Sequence, residues 1–475
     1  MINSLTDINS ISTEEEFKEA LRLMQKEKQI INRNGKVFIL SDDERNGLMF
    51  TDVQSFKTYY RFLCLEVPVI NTTRIEKKFV ADTFFTSSST TRLDGIIFDP
   101  RLQPGVNGKF FNIWKGWKYE PIKGEVSKFI NLVEVNTNFN SEGTEYLLDF
   151  LAHSIQKPQH IPMTSIVVKG KQGTGKGTLF VDTILKLNEN SKHITDMSML
   201  TGDFNGHLAD AYYVVADEIM FGGDHKEANK LKTFISEKKR MINDKMKTAY
   251  SVDSFTRSFI LSNNDYIVNV EQGDRRYAIF NCADKLKGNF KWFDEYQLWL
   301  KNGGYNAIMY YLLNRYISKF NPLELPTTKE KQELQIKSSD MPTRFLTELL
   351  NGDIEFTDGV KVGNKIYRQR LYDMFVDYMK RYNPKGYIAS SNEFGKIISK
   401  AFTFEQDNPN WRTNWKDKTG YFYLVPTEEE FMFRFSKNIF NAEAKDIFFR
   451  YEELVEREGS FIENVFTHNY DKETV

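Results

Sequence analysis

The run Gly170-Lys171-Gln172-Gly173-Thr174-Gly175-Lys176 constrains this chain more than any other stretch. Before it, Ile166-Val167-Val168 is a short β-branched apolar run that reads as a buried strand. After it, Gly177-Thr178-Leu179-Phe180 opens a segment with apolar residues at helical spacing. A strand that turns through glycines straight into a helix belongs to an α/β fold. It also makes a phosphate-binding loop. Glycines let successive backbone N–H groups turn inward onto oxyanions, the helix N-terminus adds partial positive charge, and the lysine reaches the outer phosphates. The spacing Gly170-x-x-x-x-Gly175-Lys176 fits the Walker A pattern. The hydroxyl residue expected next is replaced by Gly177, which leaves Thr178 as the nearest hydroxyl for a Mg²⁺ ion. The expected nucleotide-binding residues are Gly170, Gln172, Gly173, Thr174, Gly175, Lys176, Gly177 and Thr178.

Two further apolar runs end in chemistry. Ala211-Tyr212-Tyr213-Val214-Val215-Ala216 reads as a buried strand ending in Asp217-Glu218. An aspartate there can orient Mg²⁺ and its water, and the glutamate can polarise an attacking water. A charged strand end meeting solvent is the plain alternative. The position downstream of Lys176 favours the nucleotide reading. Ser258-Phe259-Ile260-Leu261 runs into Ser262-Asn263-Asn264, where Asn263 could position the lytic water; alone, that triplet is only a turn. Gly273-Asp274-Arg275-Arg276 then precedes the strand-like Tyr277-Ala278-Ile279-Phe280. Either arginine could reach a neighbouring subunit's γ-phosphate as an arginine finger, against a surface ion pair with Asp274. Between the second and third runs, residues 237–250 read as two extended arms around Asn243-Asp244, crowded with cations. Lys245 and Lys247 near the tip point the same way in an extended arm and could grip a phosphate backbone rather than form a solvated face.

The remainder sets the context. At 475 residues the chain is long enough for several domains. A net charge of −1 does not argue for or against nucleic acid. Two cysteines, Cys64 and Cys282, give neither a disulfide framework nor metal-ligand spacing and point to a reducing cytosolic compartment. No signal peptide and no bilayer-spanning run is read. His153 and His160 straddle Pro158 and are expected to be structural. Ser12-Thr13-Glu14-Glu15-Glu16 predicts a capped helix to about Ile31, and residues 52–66 suit an amphipathic helix. Residues 144–156 predict a helix ended by Pro158, and Thr328 to Glu333 an exposed linker or lid helix. Helical stretches at 364–381 and 391–401, followed by Tyr421-Phe422-Tyr423-Leu424, suggest a winged-helix type module with Lys396 and Lys400 facing out.

The ordered set of the glycine loop, Asp217-Glu218, the lysine arms, Ser262-Asn263-Asn264 and Asp274-Arg275-Arg276-Tyr277 resembles superfamily 3 helicases. More narrowly, it resembles the helicase part of phage and poxvirus-type primase-helicases. Phe98-Asp99-Pro100, Asn112-Ile113-Trp114-Lys115-Gly116 and Leu325-Pro326-Thr327-Thr328 look like that family's flanks, so the resemblance covers about residues 75–345. The family's large primase-polymerase domain is not expected in the short stretch before residue 75.

The resemblance implies an AAA+ type P-loop ATPase core at 141–285. The flanking parts are an N-terminal α+β lead-in module at 1–140, a helical extension at 286–341 and a C-terminal winged-helix-like domain with a helical tail at 342–475. It also implies an ATP- and Mg²⁺-dependent DNA helicase of phage or mobile-element replication, hexameric on single-stranded or forked DNA. Such a protein works in the host cytoplasm, with a primase or replication initiator in trans and no membrane. Lys176, Asp217, Glu218, Asn263 and Arg275 or Arg276 would be catalytic, Asp217 and Thr178 would serve Mg²⁺, and Lys245 and Lys247 would bind DNA. The rival reading is an origin- or partner-binding ATPase that does not unwind. A small nucleotide kinase does not suit, because its loop opens the chain.

Overall fold

The computed structural model describes residues 5, 8, 10–33, 35–43, 47–70, 73–218, 225–243, 249–264, 268, 270, 274–352, 365–384, 386–402, 415–416, 418–424, 428–440, 442–448, 451 and 455. Helix α1 (Glu14–Glu27) starts on a capping box: the Thr13 hydroxyl accepts from the Glu16 N–H, and the Glu16 carboxylate accepts from the Thr13 N–H. It ends before Ile31 because the chain turns extended at β1 (Lys28–Arg33), which pairs antiparallel with β2 (Lys36–Asp43). β3 (Gly47–Asp52) continues the meander, and β4 (Arg92–Leu93) adds parallel to β1. Alternate side chains go to opposite faces. Ile30 and Ile39 join a local core with Phe17 and Phe84, whereas Ile31 and Leu40 join the central core. The stretch expected to be helical over 52–66 is a helix only at Val53–Tyr59. Its buried face is Phe56, and Cys64–Pro68 is a strand.

The centre is built from α2 (Ser127–Asn136), α3 (Ser141–Gln156), β5 (Ser165–Lys169), α4 (Lys176–Leu179), β6 (Ser191–Ile194), β7 (Tyr213–Asp217) and α5 (His225–Ser236). It continues through β8 (Lys239–Ile242), β9 (Tyr250–Asp253), β10 (Arg257–Ser262), β11 (Tyr277–Asn281), α6 (Phe290–Trp299) and α7 (Tyr305–Asn314). Five of these strands form an all-parallel sheet in the order β6-β7-β10-β5-β11. Its strands read as unbroken apolar runs because both faces are covered. Ile166, Val168, Phe259, Leu261, Ala278 and Phe280 face the core made with α2, α3, α6 and α7. Val167, Val214, Ile260 and Ile279 face a second core with Leu231 and Phe234 of α5. β8 and β9 pair antiparallel as the two arms of a hairpin, with Ile242 opposite Tyr250; Lys245 and Lys247 lie outside the described residues.

The flanking motifs are docking devices. Buried Asn112 ties its own loop together, donating to the carbonyls of Asp99 and Gln103 and accepting from the Asp99 N–H. Asn190 accepts from the Lys115 N–H at 2.7 Å, donates to the Ile113 carbonyl and accepts at its own carbonyl from Tyr212 N–H. Trp114 and Trp117 pack edge-on against Tyr212, at centroid distances of 4.9 and 5.6 Å. Downstream, the Thr328 hydroxyl donates to the Ile279 carbonyl at 2.7 Å and caps α8 (Lys329–Ser338). That helix is not the exposed linker its charge suggests. Leu334 is buried in the core under the sheet, and Gln332 is buried too.

Beyond it, α9 (Met341–Leu350), β12 (Lys365–Tyr367), α10 (Arg368–Tyr382), α11 (Ser391–Phe402), β13 (Trp415–Lys416), β14 (Tyr421–Leu424) and α12 (Glu428–Phe435) surround a separate core of Phe345, Phe375, Phe394 and Phe435. The three strands pair in the order β12-β14-β13, and Lys396 and Lys400 are exposed on α11. Among the described residues, no helix is long and apolar enough to cross a membrane.

Arg257 is fully buried; its guanidinium donates to the carbonyls of Lys157, Pro158 and His160 and lies over the Tyr212 ring. It closes the C-terminal end of α3, where helix carbonyls lack partners. His153 packs beside it, and burial together with the Arg257 charge pushes its pKa down to about 3. An unfolded histidine titrates near 6.5, so this stability is full above about pH 6.5 and is lost as pH falls toward 3. Between pH 7 and pH 5 the wild type should lose about 2 kcal/mol more than His153→Gln in urea unfolding. Parallel pH profiles for the two proteins would contradict this.

Candidate active site

Parallel pairing sets the carboxyl ends of the strands on one edge. Lys169 lies level with Ser262 on one side and Asn281 on the other, and Leu261 lies level with Asp217. The segments that follow these ends meet around one cavity of about 660 Å³. Gln172, Gly173, Gly175, Lys176, Gly177 and Thr178 line it from the loop. Asp217, Glu218, Ser262 and Asn263 line it from the neighbouring strands.

Each loop residue has a physical reason for its identity. A Cβ on Gly170 would sit 2.8 Å from the Cβ of Cys282, and the Gly170 N–H donates to the Ser262 carbonyl. Gly175 has a left-handed φ of +110°, and a Cβ there would press on Leu132 at 3.0 Å. Buried Thr174 turns its hydroxyl back to the Lys171 carbonyl at 2.9 Å. Gly177, by contrast, has open space where a Cβ would go, so no steric demand explains the missing hydroxyl residue. Lys176 is buried, and its ammonium donates to the carbonyls of Gly170 and Lys171 at 2.6 and 2.8 Å. Burial holds its pKa below the usual lysine value, while Asp217 and Glu218 pull the other way.

On the acidic side, His193 Nε2 lies 3.4 Å from the Asp217 carboxylate. Glu218 is held by its N–H donating to Leu261 and has a left-handed φ of +56°, a strained conformation for a side chain of its size. Val181, Asp182, Lys287, Gly288, Phe290 and Phe293 complete the lining. Burial raises the Asp182 pKa, and its carboxylate accepts from the Gln297 amide at 3.2 Å.

Arg275 and Arg276 are not part of this cavity. They precede β11, at the opposite edge of the sheet, where the Arg276 carbonyl accepts from the Ser165 N–H. The two differ. The Arg276 guanidinium faces buried Asp274 at 3.6 Å, whereas Arg275 is exposed and lines a second cleft with Lys331 and Lys437. The ion pair weighed as the plain alternative is therefore made by Arg276.

Residues 168–276 match a family described only as one of unknown function, DUF5906. A DNA primase-polymerase of Nitratiruptor phage NrS-1 is 27% identical over 259 residues, which are 52% of this chain and 35% of that protein. The apo C-terminal region of NrS-1 superimposes with TM-scores of 0.58 and 0.60 in two solved structures, at 17% and 18% identity. The match covers 86% of this chain and 97% and 98% of those chains. The chain is similar to a phage replication protein. It shares the fold of that C-terminal region.

Sequence reasoning missed His193, Asp182, Phe290 and Phe293. Sheet order brings His193 to the cavity, the π-turn after the glycine loop brings Asp182, and the packing of α6 along that turn brings the two phenylalanines. The Glu218 backbone was equally invisible. Glu218→Gly should be at least as stable as wild type, because relief of about 1–2 kcal/mol of left-handed strain offsets the entropy of a new glycine. Glu218→Val should be destabilised by roughly 1–2 kcal/mol, read as a lower urea midpoint. Equal midpoints for the two variants would show that the strain is absent.

Proposed function

We propose that this chain is an AAA+ type P-loop ATPase of the superfamily 3 helicase kind, driving DNA unwinding in phage or mobile-element replication. The observation that carries the reading is the meeting of Lys176, Asp217, Glu218 and Asn263 around one cavity at the carboxyl edge of a parallel sheet. Ligands of open parallel sheets bind outside the carboxyl ends of the strands. Glycine-loop N–H groups and the start of α4 would hold the phosphates of ATP. Lys176 would exchange its two loop carbonyls for phosphate oxygens. Glu218, exposed on the cavity wall, would take a proton from the attacking water, and Asn263 would orient that water.

The donor set fits Mg²⁺ shared with the nucleotide. Among the described residues no group of three His, Cys, Asp or Glu comes together, and Mg²⁺ characteristically uses one or two carboxylates, waters and phosphates. Asp217 and Thr178 would hold it, and the bound ion would neutralise phosphate charge.

Arg275 supports a shared site. It is exposed at the far edge of the sheet, outside its own cavity, and would reach a neighbouring subunit's cavity in a hexameric ring. Lys245 and Lys247, between the β8 and β9 arms, would each neutralise one phosphate of single-stranded DNA in the channel. Exposed Lys396 and Lys400 of α11 offer a further face, winged-helix-like, for DNA or for a primase or initiator acting in trans.

Lys176→Ala should abolish tight ATP binding. Glu218→Gln should keep binding and lower turnover at least about hundredfold, the usual size of a general-base loss. Both variants should fail to displace a strand from forked DNA. ATP hydrolysis without any strand displacement by the wild type would favour the non-unwinding, partner-binding ATPase instead. In mixed assemblies, Arg275→Ala subunits combined with Lys176→Ala subunits should recover part of the ATPase that each lacks alone, whereas Arg276→Ala should act mainly by lowering stability. Mixed rings that form and stay inactive would place the arginine outside the reaction.

A further inference from the structure

We propose that Phe290 is the seat of the nucleobase, a stacking platform that gives the cavity its preference for nucleoside over bare phosphate. The proposal rests on the nucleotide reading above. Helix α6 is clamped along the segment that follows the glycine loop. The Phe293 ring lies against Gly175, 3.5 Å from where a Cβ would stand; the Tyr296 hydroxyl is 3.1 Å from Thr183 Oγ1; and the Gln297 amide donates to Asp182. Residues three and four apart share a helix face, so Phe290 continues the face that carries Phe293 and Gln297. It stands at the first position of α6, about 4.5 Å further along the axis toward the helix N-terminus.

Phe293 and Tyr296 are packed. Phe290 lines the same cavity yet is 79% exposed. Its exposed ring leaves a π-face open to a planar ligand group within the cavity. With phosphates held by the glycine loop and Lys176, a nucleoside that extends along the α6 side of the same cavity would meet Phe290. Stacking uses the π-face that every base has, so the seat should favour purines for their larger rings and treat ATP and GTP alike.

The test is calorimetric binding of ATP, GTP, UTP and inorganic tripolyphosphate to the full chain, as wild type, Phe290→Ala and Phe290→Trp. Because the side chain is largely exposed, neither substitution should disturb folding, which a thermal melt would check. Phe290→Ala should weaken ATP and GTP roughly tenfold, in the range of one base–aromatic stack, UTP by less, and tripolyphosphate not at all. Phe290→Trp should restore purine binding. Unchanged ATP affinity in Phe290→Ala, or an equal loss for ATP and tripolyphosphate, would overturn the seat. A wild type that binds neither ATP nor tripolyphosphate would overturn the nucleotide reading itself, and the seat with it.

Discussion

Because β5 is paired on both sides by parallel strands, its hydrogen-bond register with β10 and β11 sets the level of every group at the carboxyl edge of the sheet. Lys169 sits level with Ser262 and Asn281, so the glycine loop leaves the sheet beside Ser262-Asn263, and β7 delivers Asp217 one strand further out. A slip of one residue in any of these pairs would turn its side chains to the opposite face and put Ile166 and Val167 in each other's cores. Burial on both faces prevents that slip, since each face demands its own set of apolar side chains.

The cavity is built from groups that would be costly in isolation. Lys176 is buried, and an unpaired buried ammonium is expensive; the carbonyls of Gly170 and Lys171 satisfy it within its own loop. Those carbonyls are neutral acceptors, and so weaker partners for an ammonium than an anionic oxygen would be. Across the cavity, Glu218 keeps a left-handed backbone that is stable only because β7 and β10 fix it through the Leu261 carbonyl. The helix after the loop is α-helical for one turn and then shifts to a π-turn at Phe180–Ile184. This brings Asp182 and Thr183 to α6. Irregular helical turns of that kind recur at functional sites.

The N-terminal segment is bound to the sheet by polar and aromatic contacts rather than by apolar burial alone. Asn112 organises its own loop, Asn190 bridges that loop to β7 at Tyr212, and the two tryptophans close over the same tyrosine. Tyr212 also carries Arg257 on its ring, and Arg257 closes α3. One buried aromatic thus joins the lead-in segment, the sheet and the helix that precedes β5. Loss of any one partner would leave buried polar groups unpaired, which couples regions far apart in sequence.

Local chemistry was legible in the chain itself. The capping box at Thr13, the glycine loop after a β-branched run, the strand ending in Asp217-Glu218 and the helix closed before Pro158 are each dictated by a few neighbouring residues. Their φ/ψ limits and apolar periods operate within one element. Where local signals misled, a distant partner had decided the outcome. The helix at α1 stops short because β2 offers Lys28–Arg33 a ladder, and the charged helix at 329–338 is buried on one side because Ile279 and the lower core receive it. Sheet order, the separation of Arg275 from Arg276, and the arrival of His193, Asp182 and Phe290 at the cavity rest on contacts between residues far apart in the chain. No spacing rule encodes these, so only the tertiary structure could decide them.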